Sequence, residues 1–492
     1  MSSVLVKAAV FFALLVSSAV VGADTLGAQT PEASELDAAA LTRVQAIFSN
    51  EAARLKRLDD YGLRVVDLAS GRLVYEKNGA KPLVPASNTK VFTAAAALAV
   101  LGLDYRFRTV FAGTAPVKDG VIAGDLVVVA AGDPTINDDF VEAGAMNGML
   151  ALAQRLVDRG LRKVEGGLVA DTSRFRGPSI GDSWPKEPYW KTWMVEVSPL
   201  VFNDNQVGFI TKGGAASPTV RVSPDLGFVT VASRLAQVEA SRSEVIDVTR
   251  GADGRSFTLT GKVWRKSPGH EIRANVGDGT GYFLAALRSA LERKGVAFGG
   301  PNRISPDKIA VADADVLVTY ESNLRDVLGP MLKSSNNLYA EQIFRVLGHE
   351  KRGDGSFRGG FAAIYDWLVA RKIAEPGIEL KDGSGLSRAN RASAKQMTNV
   401  LAEMWRDEKT REVFRNMLAE PGKAGTLHRR LLDLEGCLFA KTGTLSGVST
   451  LSGYVRSKRG RWLAFAFLFN ESRGAARQAQ DRMVHTLAAA AL

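Results

Sequence analysis

The texture of this chain changes twice, and those changes constrain its fold more than any single residue does. Before Tyr105, "YGLRVVDLASGRLVYEKNG" reads as two strands joined at Ala69-Ser70-Gly71, and "SNTKVFTAAAALAVLG" reads as a helix broken at Gly102. Upstream, Pro31 to Leu58 is Ala/Leu-rich with charges on one side and reads as a helix. From Tyr105 to about Pro301 short β-rich pieces recur, among them "GDLVVVAAGDP", "NQVGFITKGG" and "SFTLTGKVW", punctuated by Gly, Pro, Asp and Asn. Two helix-like runs, "NGMLALAQRLVDRGLRK" and "GYFLAALRSALERKGV", interrupt them. From Asn302 helices dominate, and three strand-like runs follow: "GCLFAKTGTL", "GVSTLSGYVRS" and "RWLAFAFLFN". A final helix covers Gly474 to Leu492. The outer pieces are therefore expected to form one antiparallel sheet with helices on its faces, around a mostly-β insert; the class is α+β.

Composition narrows the setting. A chain of 492 residues has room for roughly two to four domains. Lys7 precedes an apolar run from Ala8 to Val21, and Val21-Gly22-Ala23 offers small residues before Asp24. Residues 1–23 are expected to be a secretory signal peptide, since the run is shorter than the ~20 residues of a spanning helix. The protein is expected to be exported, to the periplasm. Cys437 is the only cysteine, so no internal disulfide is available, and it reads as a small buried hydrophobe. His270, His349, His428 and His485 lack ligand spacing; no metal and no cofactor are expected. The net charge of +11 suits anionic cell-wall polymer or lipid headgroups, which leaves peripheral membrane association open. The basic residues are dispersed rather than set among aromatics, so nucleic acid is not an expected partner.

Three Ser-x-x-Lys tetrads occur: Ser87/Lys90, Ser183/Lys186 and Ser305/Lys308. About two would arise by chance in a chain this long. The last two contain proline and open no clear helix, whereas Ser87 opens a strong one. On a helix, positions i and i+3 share a face, so Lys90 is expected beside the Ser87 hydroxyl. A helix amino-terminus adds free N–H groups and a partial positive field. The competing reading is a serine cap beside a solvated lysine. Lys441-Thr442-Gly443 is the only K-[ST]-G, on a strand where Gly443 permits close approach of a ligand. Between two helices, "LKSSNNLYAE" offers Ser-x-Asn in two registers, Ser334/Asn336 and Ser335/Asn337.

Ser-x-x-Lys, Ser-x-Asn and Lys-Thr-Gly, in this order, form the active-site set of penicillin-binding proteins and class A β-lactamases. Asn336 stands where that set commonly has Asp. With "PASNTK", "AAGDPTI" (Ala130 to Ile136), "SSNNLYAE", "DGSGLSRAN" (Asp382 to Asn390) and "AKTGT", the chain resembles the low-molecular-mass class C penicillin-binding proteins, the D-alanyl-D-alanine carboxypeptidase/endopeptidase family. Ser335 follows Ser87 by 248 residues and Lys441 follows Ser335 by 106, which leaves room for that family's large insert. The resemblance implies a serine β-lactamase/penicillin-binding-protein-like transpeptidase domain in two parts, 24–104 and 291–492, around inserted mostly-β subdomains at 105–290. In that family an apolar residue and then an Ala-acidic pair follow Ser-x-Asn, which selects Ser335 and Asn337.

The resemblance further implies acyl transfer at peptidoglycan stem peptides ending in D-Ala-D-Ala, with β-lactam antibiotics as covalent inhibitors. Ser87 would be the nucleophile and Lys90 its partner, a base if burial and nearby Lys441 lower its pKa. Which group is the base stays open. Ser335 would relay the proton to the leaving amine, and Asn337 would hold Lys90 and the substrate amide. Ser87 and Thr444 N–H groups would form the oxyanion hole, worth ~3–4 kcal/mol per donor. Lys441, Thr442, Gly443 and Thr444 would bind substrate, suiting its free carboxylate.

Two other segments stay divided. "DGSGLSRAN" is either a turn closing the cleft or a substrate contact through Ser384 or Arg388. The Trp184, Tyr189, Trp190 and Trp193 cluster either packs between inserted domains or stacks on substrate. Three rivals are weaker. A class A β-lactamase would need a Glu-x-x-Leu-Asn that this longer chain lacks. Gly177-Pro178-Ser179-Ile180-Gly181 fits the esterase pattern without the strand and helix of a nucleophile elbow. A non-catalytic cell-wall binder would not need intact Ser87, Lys90 and Lys441.

Overall fold

The computed structural model describes residues 36–492, apart from 55–59, 138–139, 142–143, 187 and 471–474. The expected signal peptide, 1–23, lies outside the described residues. The first helix, α1 (Ala38–Arg54), starts where the Asp37 carboxylate accepts the Ala40 N–H (2.8 Å); residues 31–35 and 55–58 of the Ala/Leu-rich stretch lie outside the described residues. Then come β1 (Tyr61–Asp67), β2 (Leu73–Lys77), a 3₁₀ turn (Ala86–Asn88) and α2 (Thr89–Leu101). α2 stops at Gly102, whose φ of 87° suits glycine.

The middle of the chain carries β3 (Arg106–Gly113), β4 (Val117–Lys118), β5 (Val121–Ile122), β6 (Leu126–Val129), α3 (Ala145–Asp158), β7 (Lys163–Val164) and β8 (Leu168–Asp171). After a long loop it continues with β9 (Gln206–Lys212), β10 (Thr219–Ser223), β11 (Thr230–Val238), β12 (Val245–Arg250), β13 (Ser256–Trp264), β14 (His270–Asn275) and α4 (Gly279–Arg293). Then follow β15 (Ala297–Phe298), β16 (Arg303–Ser305) and β17 (Val316–Asn323). The last part runs α5 (Leu324–Lys333), α6 (Asn337–Arg352), α7 (Phe357–Ala370), α8 (Ala394–Arg406), α9 (Arg411–Met417), β18 (Leu438–Leu445), β19 (Val448–Arg456), β20 (Trp462–Phe469) and α10 (Ala475–Ala489).

The two ends of the chain share one antiparallel sheet, in the order β18-β19-β20-β1-β2. β20 is apolar at every position because both its faces are buried. Ala464, Ala466 and Leu468 join the core beneath α8, while Phe467, on the other pleat, meets Phe48 of α1. α10 packs beside α1 against β19.

The insert has its own apolar core under α3 and α4. Its largest sheet runs β16-β8-β6-β3-β17, with β6, β8 and β16 parallel. Two three-stranded sheets, β10-β9-β14 and β11-β13-β12, complete it, together with the small sheet β15-β7-β5-β4. β15, β16 and β17 follow residue 290 yet pair with β7, β8 and β3, so the insert's sheets draw on residues through Asn323. Parallel pairing joins strands far apart in sequence, and no local pattern marks it.

Candidate active site

The "PASNTK" stretch folds as a 3₁₀ turn that feeds α2. Ala86 takes a left-handed φ of 47°, and Thr89 Oγ1 donates to its carbonyl (2.9 Å). Thr450 Oγ1 donates to the Pro85 carbonyl (2.9 Å), and buried Asn88 bonds Thr450 and Ser452, which ties the turn to β19. Two glycines let the backbone close on it. A Cβ on Gly385 would sit 1.9 Å from the Ala86 carbonyl oxygen. A Cβ on Gly443 would sit 2.1 Å from Thr450 Oγ1 and 3.1 Å from the Pro85 carbonyl. Glycine at 443 thus lets β18 lie against the turn. Neither the turn nor α2 has a side-chain cap, so the Ser87 hydroxyl is not used as one.

Lys90 is fully buried. Its Nζ lies 3.2 Å from Ser87 Oγ, 2.6 Å from Asn337 Oδ1 and 2.7 Å from the Ser384 carbonyl. Burial draws its pKa down to about 7, against the pull of Glu341 and Asp382. Lys441 is equally buried, and its Nζ donates to Ser335 Oγ (2.9 Å) and to the Thr442 carbonyl (2.8 Å). Burial, then repulsion from Lys90, holds Lys441 well below the usual lysine range. Burial is thus the main cause for both amines, and the like-charge effect falls on Lys441.

In the loop between α5 and α6 the two Ser-x-Asn registers make different contacts. Asn336 is the N-cap of α6, its Oδ1 accepting the Tyr339 N–H (3.1 Å). Ser335, at a left-handed φ of 61°, meets Lys441, and Asn337 meets Lys90. Asn337 Nδ2 also donates to the Trp193 carbonyl (2.7 Å), joining this loop to the insert. A cavity of about 240 Å³ opens here, lined by Ser335, Asn337, Trp193, Asp204 and Asn275 among others.

β18 is the edge of its sheet. Ala419 bridges its outer side at Ala440, just before Lys441. Thr442 Oγ1 donates to Thr426 Oγ1 (2.8 Å), and Thr444 is exposed.

"DGSGLSRAN" is a turn built around a carboxylate. Asp382 accepts the N–H groups of Gly385 (2.8 Å) and Ser387 (2.6 Å), Asn390 Nδ2 (2.7 Å) and Trp184 Nε1 (2.8 Å). Ser384 contributes its carbonyl, to Lys90, and Arg388 donates to the Ser446 carbonyl just beyond β18. The aromatic cluster divides: Trp184 is buried edge-on to Phe357, whereas Trp193 is 44% exposed. In "AAGDPTI", buried Asp133 accepts the Thr135 N–H (2.9 Å) and Ser322 Oγ–H (2.7 Å), a turn pinned to β17. Gly177 to Gly181 lies in a loop, apart from any strand-to-helix elbow. Cys437 is half-buried. Among the described residues, no group of His, Cys, Asp and Glu is set to hold a metal ion.

Glu341 and Thr426 escaped the sequence reading, as did the four-donor role of Asp382. The Ala-acidic pair after Ser-x-Asn was the one signal pointing at Glu341.

The model of the D-Ala-D-Ala carboxypeptidase 3 (S13) family matches residues 45–490. The chain is 31% identical, over 445 residues, to a D-alanyl-D-alanine carboxypeptidase of Actinomadura sp. (strain R39); the match covers 87% of this chain and 81% of that one. It is 27% identical to D-alanyl-D-alanine carboxypeptidase DacB of Haemophilus influenzae, over 85% of this chain and 86% of that one. The crystal structure of penicillin binding protein 4 from Haemophilus influenzae superposes with a TM-score of 0.76 at 24% identity, covering 89% of this chain and 99% of that one. The last match establishes a shared fold, an α+β penicillin-binding-protein fold with inserted sheets.

Proposed function

The chain belongs to the D-Ala-D-Ala carboxypeptidase 3 (S13) family and is a serine-type carboxypeptidase, and on that premise we propose that Ser87 is its nucleophile and peptidoglycan stem peptides ending in D-Ala-D-Ala are its substrates. One observation carries this reading: a wholly buried Lys90 amine, drawn toward neutrality, lies 3.2 Å from the Ser87 hydroxyl. A serine hydroxyl is a weak nucleophile until a base removes its proton, and a neutral amine is such a base.

In the proposed reaction the stem peptide adds along the outer edge of β18 beyond Ala440, as an extended strand on a sheet edge. Lys441, Thr442, Gly443 and Thr444 receive its terminal carboxylate. Lys90 takes the Oγ proton as Oγ bonds to the carbonyl carbon of the penultimate D-Ala. N–H groups of Ser87 and Thr444 hold the oxyanion. The carbon–nitrogen bond then breaks, and the leaving amine receives its proton through Ser335, which Lys441 holds at 2.9 Å. Water hydrolyses the ester and returns a proton to Ser87. Asn337 keeps Lys90 in place and offers its amide to the substrate backbone.

The same serine is proposed to attack β-lactam carbonyls, forming a covalent adduct. DD-endopeptidase cleavage of cross-links is proposed as well, supported by the cavity beside Ser335 and Asn337, which leaves room beyond a single departing D-Ala. These substrates lie outside the cytoplasm, so export to the periplasm belongs to the same reading, with peripheral attachment to anionic surfaces supported by the net charge of +11.

Covalent labelling with a fluorescent penicillin tests the reading. The intact protein is expected to label and Ser87→Ala to give no band; equal labelling of the two rejects Ser87. Release of free D-Ala from a pentapeptide muropeptide then separates a peptidase from a lactamase or an inert binder.

A further inference from the structure

Glu341 is wholly buried on α6, one turn after Asn337, so the two side chains leave the same face of the helix. Its carboxyl oxygens accept two consecutive backbone N–H groups, from Gly383 (3.1 Å) and Ser384 (2.7 Å). The carbonyl of Ser384 is one of the acceptors of Lys90 Nζ, at 2.7 Å, and Asn337 Oδ1 is the other, at 2.6 Å. A neutral amine has two N–H bonds and one electron pair. With both N–H bonds committed to those acceptors, the remaining neighbour is Ser87 Oγ.

Resting on the acyl-transfer reading above, we infer that Glu341 is a positioning residue, holding the Ser384 peptide so that the electron pair of Lys90 is aimed at the Ser87 hydroxyl. The step it serves is balanced within the site. The proton leaves Oγ for Nζ as the Oγ–C bond forms, and the leaving nitrogen keeps the electrons of the broken C–N bond and gains a proton.

Only a carboxyl group satisfies this geometry. An apolar side chain would strand two buried N–H groups. Glutamine would place its own NH₂ against one of them. The group is also charged in part, and its surroundings are ionic on every side. Lys90 faces it from α2, Asp382 from the loop, and Arg345 from two turns after Asn337 on α6, while Lys441 faces Lys90 from β18. Burial and Asp382 push Glu341 up to about 8, and its charge draws the pKa of Lys90 upward. With Glu341 at about 8 and Lys90 at about 7, most of the carboxyl is protonated while Lys90 titrates, so its effect on Lys90 is one of geometry more than of charge.

The test is the second-order rate of acylation by fluorescent penicillin between about pH 5.5 and 9.5, on the whole chain. Glu341→Asp keeps the charge and withdraws the oxygens by one methylene. It is expected to lower the plateau about 10-fold and leave the midpoint of the acid limb in place. Glu341→Gln is expected to lower the plateau ~10–100-fold through the acylation step, with noncovalent penicillin binding kept within about threefold. A folded Gln variant that keeps the wild-type plateau, or that loses rate through noncovalent binding alone, overturns the inference, as does a wild-type plateau in the Asp variant. If the Gln variant does not fold, the plateau of the Asp variant decides alone. Ser87→Ala runs alongside: labelling of that variant sinks the acyl-transfer reading itself, whereas its silence with wild-type behaviour at position 341 sinks only the role of Glu341.

Discussion

Ser87/Lys90 and Ser305/Lys308 carry the same four-residue spacing and share almost nothing else. Lys90 is sealed from solvent among three polar partners, with a pKa drawn down to about 7. Ser305 ends the short strand β16, its hydroxyl bonded to the Asp307 carbonyl (2.9 Å) two residues on, and Lys308 is exposed. At the third tetrad, Ser183 pairs with Ser387 (2.7 Å) and Lys186 is exposed. Water keeps an exposed lysine an ammonium ion, which has no electron pair to offer. The contrast teaches that the spacing alone does not set the chemistry: only where the fold excludes water is a lysine drawn toward the neutral form that could act as a base.

Replacing the two lysines is the sharpest way to break this comparison. Lys90→Met is expected to slow penicillin acylation by ~10³-fold or more, and Lys308→Met to leave it within about twofold. Similar losses at both positions, read from gel-labelling rates, would put the chemistry elsewhere.

Next in size is the clamp around the first tetrad. At Gly385 a φ of 88° combines with a Cβ only 1.9 Å from the Ala86 carbonyl. Gly385→Ala is expected to cost ~3 kcal/mol or more in urea unfolding and to slow acylation. Gly295, at a φ of 85° with open space around its Cβ, is the control, and its alanine variant is expected to cost only ~1 kcal/mol.

Burial of Lys90 also predicts a pH signature. Its pKa falls from 10.5 to about 7 on folding, so the unfolded chain holds the extra proton between those values and stability from this group rises with pH across that window. Glu341, raised from 4.5 to about 8, gives the opposite slope in its own window in both proteins. Against wild type, Lys90→Met is therefore expected to be most stabilised below pH 7, an advantage that shrinks by on the order of 2 kcal/mol by pH 9. Lys308→Met should show a flat difference across the same titration.

The smallest effect concerns the two asparagines of "SSNNLYAE". Asn336→Ala removes a helix cap and is expected to cost ~1 kcal/mol in thermal or urea unfolding, with acylation lowered less than threefold. Asn337→Ala, which strips Lys90 of an acceptor at 2.6 Å, is expected to hurt acylation far more than stability.

Much of this molecule was legible in its sequence. The hairpin turning after Asp67, the break at Gly102 and the three closing strands follow from local periodicity and turn chemistry, and each is an element of the structure. The insert was legible as texture but not as topology: nothing in "RIS" announces that Arg303 to Ser305 lies parallel to β8. At the site, Ser87 and Lys90 were readable together because they are neighbours on the chain. Glu341 was not, because its partners are peptide N–H groups of Gly383 and Ser384, which any sequence would offer. Likewise the glycine at 443 read as space for a ligand, and the space it makes is for the turn bearing Ser87.

By itself the sequence determined the elements, their order and which functional groups the chain carries, because those depend on contacts between residues a few positions apart. Only the tertiary structure decided that the Lys90 amine loses water on every side and meets a hydroxyl, an amide and a carbonyl drawn from three separate stretches. Proton affinity in a protein is set by the whole surrounding volume, and that volume exists only after distant segments have closed around it.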